Sequence, residues 1–164
     1  MNSPIRRRRD GRYAVRLDAN VRTVLLSLAQ QLTPALDSDD PMTRRLFPPA
    51  YPGEGDEKAE QEYRSLVDNA LVNHHRQALT VMAETADAET LSESEMHAWL
   101  SAVGSLRLVL GTRLDVCEDM EPPAPEDPSA GEYALFEFLG ELQYLLIDVL
   151  AAELPDEGRP EGTM

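Results

Sequence analysis

Apolar residues recur with a helical period in four stretches of this chain and with a strand period in one. Tyr13, Val15 and Leu17 alternate with Ala14 and Arg16, the pattern of a strand with one face inward. Asp10-Gly11 precedes them, the favoured pair for a two-residue type I′ turn. Residues 1–17 therefore predict a basic β-hairpin in which Arg9 faces Arg12, Arg8 faces Tyr13 and Arg6 faces Val15. Facing arginines repel, and a lone hairpin is marginal in water. The hairpin is expected to pack on helices and to need an acidic cover, from the protein's own surface or from another molecule.

A first helix is predicted from Asp18, as cap, to about Leu36, with Val21, Val24, Leu25, Leu28 and Leu32 on one face and Pro34 bending its last turn. Residues 37–55 are rich in Asp and Pro but carry Leu46, Phe47 and Tyr51, which predicts a loop docked on the domain. A second helix is expected from Asp56 to about Ala86, along Tyr63, Leu66, Val67, Ala70, Leu71, His74, Ala78, Leu79 and Met82. The third has a full start signal: Ser92 as cap, Glu95 closing a capping box, and Leu91 stapling to Met96. It runs through Trp99, Leu100, Val103, Leu106, Val109 and Leu110 to about Leu114, with Gly111 permitting a close backbone approach.

Residues 115–130 hold four prolines among acids and predict a loop with little to bury. Ser129 and Glu132 predict a second capping box, opening a helix from Tyr133 to about Glu153. That helix is apolar nearly all round, which makes it the central helix of a bundle or part of a subunit interface, and a homodimer is expected. Residues 154–164 are expected to be disordered. The predicted fold is mainly α: a four-helix bundle-like domain over residues 18–153 with an N-terminal β-hairpin.

The 164 residues include 30 Asp and Glu against 15 Lys and Arg, a net charge of −15. This argues against a body that lies on nucleic acid or anionic lipid. The charge is polarised: residues 1–22 sum to +5, residues 23–114 to −7 and residues 115–164 to −13. The exclusion therefore weakens for the first segment, where Arg6, Arg7, Arg8 and Arg9 are candidates for a partner or DNA contact. No apolar run reaches the roughly 20 residues of a membrane span, and the basic start lacks the apolar stretch of a signal peptide. A soluble cytoplasmic protein is the expectation.

Little in the sequence points to catalysis. His74 and His75 are adjacent, about 100° apart on a helix, and His97 stands alone, so no chelating set is read. No phosphate loop or nucleophile elbow is present. We expect no enzyme, no metal and no cofactor. Arg107 and Arg113 lie within an apolar helix and call for a carboxylate, with Asp40 or Asp115 as candidates; with Arg44 they are structural ion-pair or anion-binding candidates. Cys117 is the single thiol and the redox candidate. Its neighbours Asp115, Glu118 and Asp119, past a helix C-terminus, oppose the thiolate that a sensor needs, so an inert thiol is expected.

The segments from Asp40 to Tyr51 and from Trp99 to Asp115, with the basic hairpin, Glu62-Tyr63-Arg64 and the closing apolar helix, resemble the AosR family of actinobacteria. That family was long catalogued as a domain of unknown function and is typically encoded beside the ClpS protease adaptor. The resemblance implies a transcriptional regulator of the oxidative-stress response, acting by redox-dependent association with a sigma factor. An intramolecular disulfide switch needs two cysteines, and only Cys117 exists, so redox sensing through that route is not open to this chain. The residues leave three readings: a regulator that grips a sigma factor or other transcription protein, a DNA binder acting through its Arg-rich arm, and a non-enzymatic binder of a small anion.

Overall fold

A computed structural model describes residues 3–36, 46 and 57–152, with side chains of the second helix described at 58, 59, 61, 62 and from 70 onward. The elements are β1 (Ile5–Arg7), β2 (Tyr13–Val15), α1 (Ala19–Ala35), α2 (Glu57–Glu84), β3 (Thr90–Leu91), α3 (Glu93–Arg113) and α4 (Ala130–Ala151). This is the mainly helical domain that the periodicity predicts, with the strands gathered into one small antiparallel sheet of order β1-β2-β3.

The hairpin forms in a different register from the predicted one. Ile5 pairs with Val15, Arg6 with Ala14 and Arg7 with Tyr13. The connection is a three-residue loop, Arg9-Asp10-Gly11, closed by the Gly11 N–H on the Arg8 carbonyl at 3.2 Å, with Gly11 at φ +82°. The core decides between the two registers. A slip of one residue reverses the face of every side chain in a strand. The two-residue turn would carry Ile5 outward, whereas in the structure Ile5, Tyr13, Val15 and Leu91 are all buried on the inner face. β3 is too short for any periodicity to reveal it.

α1 starts where the sequence places it. The Asp18 carboxylate accepts the Asn20 N–H at 2.8 Å, and the helix buries Leu25, Ala29 and Leu32, while Val24 turns outward. Pro34 stands in its last turn. In α2, Ala78, Leu79 and Met82 are buried as expected, but Ala70 and His74 are exposed. Leu46 is buried in the core, consistent with a docked loop. Phe47, Tyr51 and the tail from 154 lie outside the described residues, as do the side chains of Tyr63, Leu66 and Val67.

α3 carries the full capping box: Ser92 Oγ accepts the Glu95 N–H, and the Glu95 carboxylate accepts the Ser92 N–H at 2.7 Å. It is the central helix, packed against α2 on one side and α4 on the other. Met96, Trp99, Ala102, Val103, Ser105, Leu106, Leu110 and Gly111 are all buried. Trp99 donates its indole N–H to Thr85 Oγ1 at 2.7 Å, which satisfies the one polar atom of its buried ring. The helix ends in a Schellman motif. The Val116 N–H reaches the Gly111 carbonyl at 3.0 Å, the Asp115 N–H reaches the Thr112 carbonyl at 3.2 Å, and Asp115 takes φ +52°.

α4 is not the central helix. It buries Leu139, Leu142 and Leu146 against the core, packing on α3 and β1, and leaves Tyr144 and Ile147 exposed. Its second capping box does not form. Ser129 sits in the right-handed helical region with no capping bond, and its N–H and hydroxyl both donate to the Asp127 carboxylate, at 2.9 and 2.8 Å. Those bonds hold the Asp127 carboxyl below its ordinary pKa, the backbone bond foremost. Glu132 turns instead to Arg113, 3.0 Å away.

Candidate functional site

The structure separates the candidate arginines into two sites. The first is the outward face of the sheet. Residues that alternate with the buried ones point away from the core, so Arg6, Arg8, Arg12 and Arg16 share one exposed face. Arg7 is paired with Tyr13 on the other face, and Arg9 sits in the turn. The four consecutive arginines of the sequence are therefore not one unit. Acid cover is partial: Arg8 lies 3.5 Å from Asp10, and Arg12 lies 3.9 Å from Glu95 while its Nε donates to Thr90 Oγ1 at 3.1 Å. Among the described residues, Arg6 and Arg16 are in no ion pair.

Arg22 stands at the edge of this face, and no sequence signal singled it out. Its guanidinium is a fork over four backbone carbonyls. Nη1 donates to Ala86 at 2.7 Å and Ala88 at 2.8 Å, Nη2 to Val15 at 2.9 Å and Nε to Leu17 at 3.2 Å. One side chain of α1 thus ties the end of β2 to the turn between α2 and β3.

The second site lies on the outer side of α3 and α4. The sequence calls for a carboxylate paired with Arg107, but among the described residues none forms an ion pair with it. The guanidinium lies over the Phe136 ring, 4.9 Å from its centroid, and its buried Nε has no hydrogen-bond partner. Gly140 makes room for it, since a Cβ there would stand 3.1 Å from Arg107 Nε. Gly104 also faces α4, where a Cβ would meet Gln143 Nε2 at 3.4 Å. Two concavities flank Arg107. One of about 280 Å³ is lined by Gly104, Leu108, Val116 and Gln143. The other, of about 740 Å³, is lined by Tyr133, Glu137, Glu141 and Tyr144. Tyr144, 69% exposed, and Leu108, 44% exposed, each share one of these concavities with Arg107, and Ile147 on α4 is 47% exposed.

Among the described residues Arg113 finds an acid in Glu132 and not in Asp115. The pair links the C-terminus of α3 to the first turn of α4, where each charge favours its helix dipole. Arg44 and Asp40 lie outside the described residues. Cys117 is exposed just beyond the Schellman turn. His75 Nδ1 lies 3.1 Å from Ser105 Oγ, and burial, with His74 beside it, lowers the His75 pKa against a raising contact from the Leu46 backbone. Among the described residues no group of His, Cys, Asp or Glu could hold a metal ion, and no helix is long and apolar enough to cross a membrane.

The domain of unknown function DUF2017 matches residues 2–150 of the chain. The chain belongs to the DUF2017 family. It is similar to the protein named "Oxidative stress regulator AosR" of Mycobacterium tuberculosis strain H37Rv, at 30% identity over 68% of this chain and 58% of the relative. The Mycobacterium bovis protein of that name matches to the same extent. A Mycobacterium leprae relative that also carries the AosR name is 31% identical over 70% of this chain and 60% of its own length. The DUF2017 chain thus spans about three fifths of the curated relatives it matches. No solved structure matches it.

Proposed function

We propose that this protein is a non-enzymatic regulator of the oxidative-stress response, cytoplasmic, that acts by binding a sigma factor or another part of the transcription machinery. The response is suggested by the names of its relatives. The mode of action rests on one observation: the outer face of α4 with its neighbour α3. Tyr144 and Leu108 each line a concavity on which Arg107 opens, Ile147 is exposed on the same helix as Tyr144, and the Arg107 Nε is buried without a hydrogen-bond partner. Tyr and Arg amid apolar side chains are the residues that dominate binding energy at protein interfaces. Large apolar side chains left exposed together on one helix mark an interaction surface.

The redox step, in this reading, does not lie in an internal disulfide. Cys117 is alone in the chain, so peroxide sensing resides in the partner or in an intermolecular adduct. We favour the partner. Cys117→Ser should leave a peroxide-responsive reporter unchanged, and loss of the response would refute that choice. The test of the main reading is a cross-linked pull-down with purified RNA polymerase and sigma factors. Wild-type protein should retain one of them, and Tyr144→Glu/Ile147→Glu should not. Equal retention by the double variant would reject this face as the contact.

One observation favours a second occupant of the same face. Glu137 and Glu141 line the concavity on which Arg107 also opens, so the face carries both signs and could meet its own copy about a two-fold axis. Sedimentation over a range of concentrations separates a dimer from a monomer, and Arg107→Glu should abolish the dimer.

A further inference from the structure

We propose that the outward face of the sheet is a second binding site, which takes an acidic segment of a protein partner. The groove there, of about 530 Å³, is lined by Arg6, Arg8, Ala14, Arg16, Arg22, Glu89 and Thr90. Three guanidinium groups in it retain free donors. Arg6 and Arg16 are exposed and in no ion pair among the described residues. Arg22 spends three N–H groups on Ala86, Ala88 and Leu17 and a fourth on Val15, leaving one Nη2 hydrogen. Glu89 is the one acidic residue of the lining. Guanidinium donors recognise carboxylates through paired, charge-assisted hydrogen bonds.

Charge and size narrow the occupant. The first 22 residues sum to +5 and the other 142 to −20. A duplex, with a charge every ~1.7 Å along its axis, would run past the sheet onto that acidic surface and be repelled. The strands are three, three and two residues long, so the face is about 10 Å along a strand. That length fits two or three side chains of a short segment. A short acidic peptide meets the basic face without touching the acidic body, and both long-range steering and contact favour it. This proposal stands on residues of the sheet and α1, so it is independent of the α4 face.

The test uses a fluorescein-labelled hexaglutamate peptide, read by anisotropy at low salt and at about 0.15 M salt. The full chain should bind it, with affinity falling as salt rises. Arg6→Gln/Arg16→Gln should weaken binding about tenfold. Arg113→Gln, at the far end of the bundle, should change it less than about twofold. An unchanged unfolding midpoint for the double variant shows that the loss is local. Inorganic phosphate at the peptide's concentration should not compete, and a duplex oligonucleotide should bind more weakly than the peptide. No binding to the wild type, or equal binding by the double variant, overturns the proposal. So does competition by phosphate at equal concentration, which would make the groove a small-anion site. Tighter binding of duplex, lost in the same double variant, would overturn it in favour of nucleic acid.

Discussion

Replacing Arg22 by Met keeps the aliphatic stem and removes the guanidinium, and the structure sets the cost. Four carbonyls lose a charged donor at 2.7 to 3.2 Å. A hydrogen bond to a charged group contributes about 1.5–3 kcal/mol when it is well formed and shielded. Arg22 is half-buried, so water reaches part of the site after the change, and the four bonds share one side chain and do not add. We expect a loss of about 3–4 kcal/mol. At this chain length each kcal/mol moves the melting temperature by about 2–4 °C, so the shift is about 10 °C downward. Arg22→Lys should recover part of this, because an ammonium has three donors but no fork to span Val15, Leu17, Ala86 and Ala88 together. The assay is urea unfolding followed by the fluorescence of Trp99, the single tryptophan, which is fully buried and reports loss of the core. A loss below about 1 kcal/mol for Arg22→Met would refute the reasoning, as would a lysine variant as stable as the wild type.

Two further changes probe local features. Asp115 holds φ +52°, a region costly for residues with a Cβ, so Asp115→Gly should stabilise the protein by about 0.5–1 kcal/mol, measured by the same urea midpoint; a destabilised variant would show that the Asp115 side chain matters more than its backbone. His75 has a folded-state pKa below its ordinary 6.5, chiefly because burial penalises the charged ring. The unfolded chain therefore takes up the proton first, and the stability contributed above pH 6.5 is lost as pH falls below it. Melting curves between about pH 7.5 and about pH 5.5 should fall more steeply for wild type than for His75→Gln, and parallel curves would contradict this.

Much of this was legible in the sequence. Periodicity located all four helices, and the Ser92 capping box formed as its spacing implies. Three things were not legible, for different physical reasons. The hairpin register was read from the local preference of Asp10-Gly11, while burial of Ile5, a contact between distant elements, decides it. The central helix was not legible because the apolar pattern of α4 fits either the centre of the bundle or a subunit interface: α3 takes the centre by burying Ala102, Ser105 and Gly111, small or polar residues, beside its apolar stripe, whereas α4 displays apolar residues it does not bury. The role of Arg22 was invisible because its partners are backbone carbonyls, which any residue supplies. Arg107 was recognised as needing a partner, and among the described residues it meets an aromatic face and a glycine gap where a carboxylate was expected.

The most direct measurement of the central claim is a binding titration between this protein and the purified transcription protein retained in the pull-down. Tyr144→Ser and Ile147→Ser, both at exposed positions of α4, should leave the unfolding midpoint nearly unchanged and together weaken binding by more than about tenfold. Unchanged affinity in a stably folded double variant would contradict the claim that the protein regulates through the outer face of α4.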